Sequence, residues 1–283
     1  MHQSEDNHYI PMTSVRSGRG AEVRSDVYYY TNQIVNVIMV GRPGEDWVLI
    51  DAGMPTSGSE LLEVAEERYG KGSRPLAILL THGHFDHVGG LVHLIEKWGV
   101  PVYAHPLEVP FLTGQKAYPE PDTTVEGGLL AKISSIYPHE PIDIAPALKL
   151  LPENGSVPHL HGWKWYHVPG HSPGQVAFFR ERDAILIAAD AFVTVRQDSF
   201  YKVLLQQEEV AGPPRYLTTD WQAAWESVRR LEALSPITTI TGHGKAMTGL
   251  ALKDGLKKLV REFASIAIPE YGKFLEPGEP DFC

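Results

Sequence analysis

The stretch Thr81-His82-Gly83-His84-Phe85-Asp86-His87 constrains this chain more than any other. It follows directly on the all-apolar run 76–80, which reads as a buried strand, and it leads into a helix predicted over 88–98. Three imidazoles and a carboxylate therefore crowd one loop at a strand end. Burying such a group is costly unless its charge is compensated, and cations compensate it. His82 and His84, two apart in extended chain, point to the same side and suit one ion, while Asp86 and His87 turn into the helix and reach a second. Imidazole and carboxylate donors without a thiolate suit zinc best, with iron, manganese or cobalt as alternatives.

Four more polar residues stand where an apolar run meets a glycine-containing loop or a turn. Asp51 ends 47–50, His171 lies in Pro169-Gly170-His171-Ser172-Pro173-Gly174, Asp190 closes the apolar run 184–189, and His243 lies in Thr241-Gly242-His243-Gly244. Each alone reads as a cap or turn residue. Their shared placement at strand ends makes them candidates for the rest of a two-metal site.

Between these points the apolar pattern alternates sheet and helix. Residues 35–40 and 47–50 read as strands joined by the turn Gly41-Arg42-Pro43-Gly44. Residues 57–69 read as a helix capped by Ser57, with Leu61, Leu62 and Ala65 on one side, and 101–104 return as a strand. A second set follows: strands 163–168, 175–179 and 184–188, a helix 221–234, a strand 237–241 and a closing helix 250–266. The class is α/β (α+β in some schemes). Two similar halves predict a four-layer sandwich within a single domain spanning 1–283. The proline-rich stretch 106–158, with a helix predicted near 129–136, reads as a cap inserted over the site.

Bulk properties remove several classes. The 283-residue chain carries a formal charge of -10, which argues against a nucleic-acid partner. No apolar run reaches the roughly 18–20 residues that a membrane span needs. The start MHQSEDNHYIPM lacks the basic and apolar regions of a secretory leader. The one cysteine is Cys283, so neither an intrachain disulfide nor a thiolate metal site is available. The expectation is a soluble cytoplasmic protein that acts on a small molecule, with no nucleic-acid or membrane partner.

With His82-Gly83-His84-Phe85-Asp86-His87 followed in order by His171, Asp190 and His243, and with Asp51 upstream, the chain from about residue 35 onward resembles the metallo-β-lactamase-fold hydrolase superfamily. The resemblance implies an αβ/βα sandwich with metals at the edge where both sheets open. It puts His82, His84 and His171 on one metal, and Asp86, His87 and His243 on a second. Asp190 bridges them, and Asp51 stands behind, orienting a ligand histidine and its loop. Two divalent ions, zinc first, would share a bridging hydroxide that attacks a carbonyl while one metal holds the developing oxyanion. Asp86, the acidic ligand on one metal only, is the candidate catalytic residue, passing a proton to the leaving group.

Substrate is less constrained. Zinc β-lactamases resemble the chain least, since many place cysteine in the second metal site and most are exported. Glyoxalase II-like hydroxyacylglutathione hydrolases share the ligands but add a long helical domain, whereas one helix and a tail are read after His243. Acyl-homoserine lactonases are nearer, often with phenylalanine where Phe85 stands. They commonly carry a tyrosine three residues after the bridging aspartate, and here that position is Val193. Tyr201 is the candidate replacement, and Phe85, Phe192 and Phe200 are candidate linings of a substrate pocket. Hydrolysis of a lactone or other ester is expected. The alternatives are a thioesterase of the hydroxyacylglutathione hydrolase type and a mononuclear iron oxidoreductase of the same fold. Members of the superfamily are often dimers, which carries over as the expectation of a homodimer.

Overall fold

In the computed structural model, which describes residues 1–10, 12–125, 137–195, 204–206 and 208–275, the strand predicted at 35–40 is buried at all six positions. It lies inside the sheet of the first of two compact units, formed by Met1–Tyr118 with Pro138–Trp163. Here β1 (Arg19–Arg24), β2 (Val27–Asn32), β3 (Val35–Val40) and β4 (Val48–Ile50) make an antiparallel meander. The sheet then continues in parallel through β5 (Ile78–Leu79), β6 (Val102–Ala104) and β7 (Leu148–Leu150).

Connections explain the change of direction. Short turns join the first four strands, whereas parallel neighbours need a crossover. α1 (Gly58–Tyr69) supplies it between β4 and β5, and α2 (Phe85–Val88) with α3 (Leu91–Trp98) supplies it between β5 and β6. Leu61 and Ala65 of α1 and Leu91, Leu94 and Ile95 of α3 share one apolar cluster with Met39, Leu49, Ile78 and Val102. Each large side chain withdrawn from water there contributes roughly 1.5–3 kcal/mol. Trp47 stacks on Tyr69 at 4.3 Å and meets Trp98 edge-on at 5.8 Å, so the last residues of α1 and α3 close on one indole. After β6 a 3-10 turn, Pro106–Glu108, runs into α4 (Val109–Leu112).

The second unit comprises Pro119–Tyr137 and Lys164–Cys283. Its sheet runs β12 (Met247–Thr248), β11 (Thr238–Thr241), β10 (Ile185–Ala189), β9 (Val176–Arg180), β8 (Trp163–His167). β10 is antiparallel to β9 and parallel to β11, and α5 (Trp221–Ala233) lies in the parallel crossover. α6 (Gly249–Arg261) and α7 (Phe263–Ile266) follow β12. Trp221, Trp225 and Leu231 of α5 and Leu252, Leu256 and Leu259 of α6 pack with Ala177 and Leu186 of the sheet.

Several boundaries differ from the sequence expectation. The helix predicted at 88–98 begins at Phe85 and breaks at Gly89-Gly90, which puts Asp86 and His87 on a helical turn. Ser57 stands at the N-cap of α1 as expected, but its side chain makes no capping hydrogen bond; its hydroxyl donates to the Ala52 carbonyl at 2.8 Å and ties down the loop after β4. The closing helix divides at Glu262 (φ -115°, ψ 28°). β1, β2, β7 and β12 have no clear apolar period: β1 is a largely exposed charged edge, and β7 and β12 are two or three residues long. Within 106–158, β7 joins the sheet beside β6, and the helix predicted at 129–136 lies outside the described residues. Among the described residues, no helix is long and apolar enough to cross a membrane.

Candidate metal centre

In the first unit the functional side chains hang from the ends of two adjacent parallel strands. β4 delivers Asp51 and β5 leads through Leu80 to Thr81 and His82, with Asp51 N–H still donating to Leu79 O at 2.9 Å. The loop then caps α2 with His84 and sets Asp86 and His87 in its single turn. Asp51, Thr81, His82, His84, Asp86 and His87 are at most 4% exposed.

Hydrogen bonds fix the imidazoles in this set. Asp51 Oδ1 accepts from Thr81 N–H at 2.8 Å, and Oδ2 accepts from both the Thr81 hydroxyl and His87 Nδ1, each at 2.8 Å. The Thr81 hydroxyl proton is therefore committed to Asp51, and its oxygen, 3.1 Å from His82 Nδ1, is left to accept. Both histidines then carry their proton on Nδ1 and offer the Nε2 lone pair. A donor atom of His82 lies within 4.8 Å of one on His84 and of one on His87, and so do donors of Asp86 and His87. Asp51 itself adopts φ 63°, a left-handed conformation that costs a non-glycine residue on the order of 1 kcal/mol and is found where surrounding structure enforces it.

The second unit repeats the device. His171 follows Gly170, whose φ is +128° and where a Cβ would stand 2.4 Å from the Ala224 amide, so only glycine lets the loop approach the start of α5. Thr218 donates its hydroxyl to Pro214 O at 2.8 Å, which leaves its oxygen to accept from His171 Nδ1 at 3.1 Å, again turning Nε2 outward. The register shifts between Ile187 and Ala189, and Ala189 has φ 50°; this irregularity at the end of β10 re-aims the chain where Asp190 begins. Asp190 Oδ2 lies 3.4 Å from His171 Nε2 and 3.3 Å from His243 Nε2. His243 is held through its carbonyl, which accepts from Thr241 Oγ1 at 2.6 Å and Thr194 Oγ1 at 3.2 Å.

These donors fit divalent cations. Neutral imidazoles presenting lone pairs, together with carboxylates, make a buried set whose formal charge is negative, and a cation is the compensation such a set calls for. An oxygen almost equidistant from two imidazole nitrogens, as Asp190 Oδ2 is, has the geometry of a carboxylate able to serve two ions.

A family model described as the metallo-beta-lactamase superfamily matches residues 30–243, a span that holds every candidate ligand. The chain belongs to that superfamily. This metallo-β-lactamase superfamily member is 44% identical over 260 residues to the probable metallo-hydrolase YflN of Bacillus subtilis, covering 91% of this chain and 98% of that protein. It is 26% identical to the probable metallo-hydrolase YybB of the same organism, covering 72% and 78% respectively. Among solved structures, a di-iron-bound form of TTHA1623 matches with a TM-score of 0.53 at 30% identity, covering 80% of this chain and 92% of that one. A B3 metallo-beta-lactamase with an active-site glutamic acid matches with a TM-score of 0.60 at 19% identity, over 90% and 91%, a likeness of fold. The superfamily member thus has the metallo-β-lactamase fold, a mixed α/β chain with two sheets, and its histidine and aspartate groups suit divalent metal ions.

The remaining candidates fall in different places. Phe85 is buried and borders a small cavity together with Gly83, Val88, Phe111 and Tyr118. Phe192 is fully buried in the apolar cluster of the second unit, and Val193 is fully buried with its backbone bridged to Ala211. Phe200 and Tyr201 lie outside the described residues. Sequence reasoning missed Thr81, Thr218, Glu108 and Tyr118. Thr81 adjoins the histidine loop and was within reach of inspection; Thr218 is 47 positions from His171 and has no local signal.

Proposed function

We propose that this superfamily member hydrolyses a small-molecule lactone or other ester with two divalent cations, zinc first. The carrying observation is the pair of buried donor sets, in which His87 is turned by a carboxylate and His82 and His171 by a hydroxyl so that Nε2 is offered. In this reading His82, His84 and His171 hold one cation, Asp86, His87 and His243 hold the other, and Asp190 serves both. When bound, such ions supply a water acidic enough to ionise near neutral pH and a Lewis acid for the carbonyl oxygen.

The chain's own groups do the rest. Asp51 and Thr81 keep the His82 and His87 rings aimed with Nε2 outward, and Thr218 does so for His171. Asp86 is the group we assign to proton transfer, its carboxylate taking a proton from the attacking water and delivering it to the departing oxygen. The His-x-His-Phe-Asp-His run, shared with lactonases, is what favours oxygen esters, and the single cysteine suits a reducing cytoplasm. Iron is the second reading for the metal, favoured by the di-iron-bound form of TTHA1623.

Metal-loaded protein would be assayed on a panel of lactones, linear esters, thioesters and β-lactams, with a chelator-treated control and a metal count. Faster turnover of lactones or esters with roughly two metals per chain supports the proposal. Preference for thioesters would replace the substrate class, and one iron with no hydrolysis would overturn the reading.

A further inference from the structure

We propose that Glu108 and Tyr118 form a positioning pair that fixes the loop between His82 and His84, and so sets the affinity of the cation those histidines hold. The inference rests on the metal reading above. Glu108 ends the 3-10 turn after β6 and is fully buried, a rare setting for a carboxylate without a specific task. Its Oε2 accepts from Gly83 N–H at 2.8 Å and from the Tyr118 hydroxyl in a short contact. The Tyr118 oxygen in turn lies 3.1 Å from the same Gly83 N–H. Two side chains distant in sequence thus converge on the one amide between two candidate metal ligands.

The geometry shows how this reaches both histidines. The Gly83 amide belongs to the peptide plane that starts at the His82 α carbon, so holding that plane holds the base of the His82 side chain. The Tyr118 ring, stacked on Phe111 at 4.0 Å and 7°, stands 4.4 Å from the His84 imidazole at 61° and bears on it directly. A Cβ at Gly83 would lie 2.7 Å from the Tyr118 hydroxyl, 3.2 Å from Leu112 and 3.3 Å from Glu108 Oε2. The glycine between the two histidines is therefore the counterpart of this pair, required by close approach and not by an unusual φ. All of these partners lie within the first unit.

The test is stepwise titration with Co(II) and Zn(II), read by the visible Co(II) spectrum and by calorimetry. The step lost in His84→Ala identifies the cation held by His82 and His84. Tyr118→Phe keeps the ring stack and removes the hydroxyl; it should weaken that step by about 10–100-fold, alter the Co(II) spectrum of that site, and leave the other step nearly unchanged. Glu108→Leu should weaken the same step at least as much. Glu108→Gln, whose amide oxygen can accept both bonds, should restore binding to near wild-type. Unchanged steps in Tyr118→Phe, equal loss of both steps, or a Glu108→Gln as weak as Glu108→Leu would each overturn the pair. If Glu108→Leu does not fold, the other two variants decide. Wild-type protein that takes up no metal would instead sink the metal reading itself.

Discussion

Asp51 Oδ2 stands 2.8 Å from His87 Nδ1, with both side chains enclosed. The same oxygen takes the Thr81 hydroxyl proton, and Thr81 in turn faces His82 Nδ1. One carboxylate just past the end of β4 therefore sets the tautomer of two imidazoles that arrive from beyond β5, one directly and one through a hydroxyl. Strand order makes this economical: β4 and β5 are parallel neighbours, so their C-terminal ends deliver Asp51 and Thr81 side by side.

Asp51→Asn tests that arrangement without disturbing the backbone, because asparagine tolerates the left-handed φ that Asp51 adopts. With the amide oxygen in the Oδ1 place the Thr81 N–H bond survives, but the amide nitrogen cannot accept from the Thr81 hydroxyl or from His87 Nδ1–H; with it in the Oδ2 place those two survive and the Thr81 N–H faces another donor. The expected result is a fall of about 10–100-fold in metal affinity with correspondingly lower turnover. Calorimetric titration with zinc measures it, and wild-type affinity in the variant would remove Asp51 from the ligand-orienting role.

Thr218 makes a sharper version of the same prediction. Valine matches threonine in shape but leaves His171 Nδ1–H buried without its acceptor, at a cost of about 1–3 kcal/mol. Thr218→Val should therefore weaken the cation that His171 holds by at least about tenfold, while Thr218→Ser should bind nearly as wild-type. Nitrogen chemical shifts of the His171 ring report the tautomer directly. An Nδ1–H tautomer that persists in Thr218→Val, with unchanged affinity, would show the hydroxyl to be incidental.

Much of this was legible in the sequence, for a physical reason. Strand β3 and the histidine loop carry strong local signals: an unbroken apolar run, and polar donors packed at an apolar strand's end. The strand ends bearing Asp51, His171, Asp190 and His243 were readable in the same way. What stayed hidden depends on contacts between distant positions. Thr218, Glu108 and Tyr118 look ordinary in sequence and acquire a task only once the fold brings them to His171 and Gly83. The left-handed Ala189 that re-aims Asp190 gives no sequence sign, since alanine does not advertise positive φ. Ser57 sits at the N-cap as read, but the sequence does not show that its hydroxyl turns to the Ala52 carbonyl and makes no capping bond.

Asp86 carries the proton-transfer assignment, and substitution by asparagine separates that task from ligation. The amide oxygen retains a donor for a cation but cannot shuttle a proton. Asp86→Asn should lower kcat by about 100-fold or more while metal content falls far less. Metal analysis and steady-state kinetics on one preparation give both quantities. Equal loss of the two would reduce Asp86 to a ligand.

Removing the metal should also be visible in stability. His82, His84, Asp86, His87, His171, Asp190 and His243 are all at most 4% exposed, so in the absence of a cation their polar groups are held out of water. A cation that binds the folded chain alone stabilises it by about 2.7 kcal/mol when present at 100 times its Kd, which for a chain of this size is a rise in Tm of roughly 4–5 °C. Chelator-treated protein should melt lower by that amount and recover on adding zinc, as followed by circular dichroism. Asp190→Asn, which weakens the one oxygen poised between His171 and His243, should recover much less. A wild-type Tm that does not respond to metal would mean that these buried donors are already satisfied by the fold, and that the cations do not bind here.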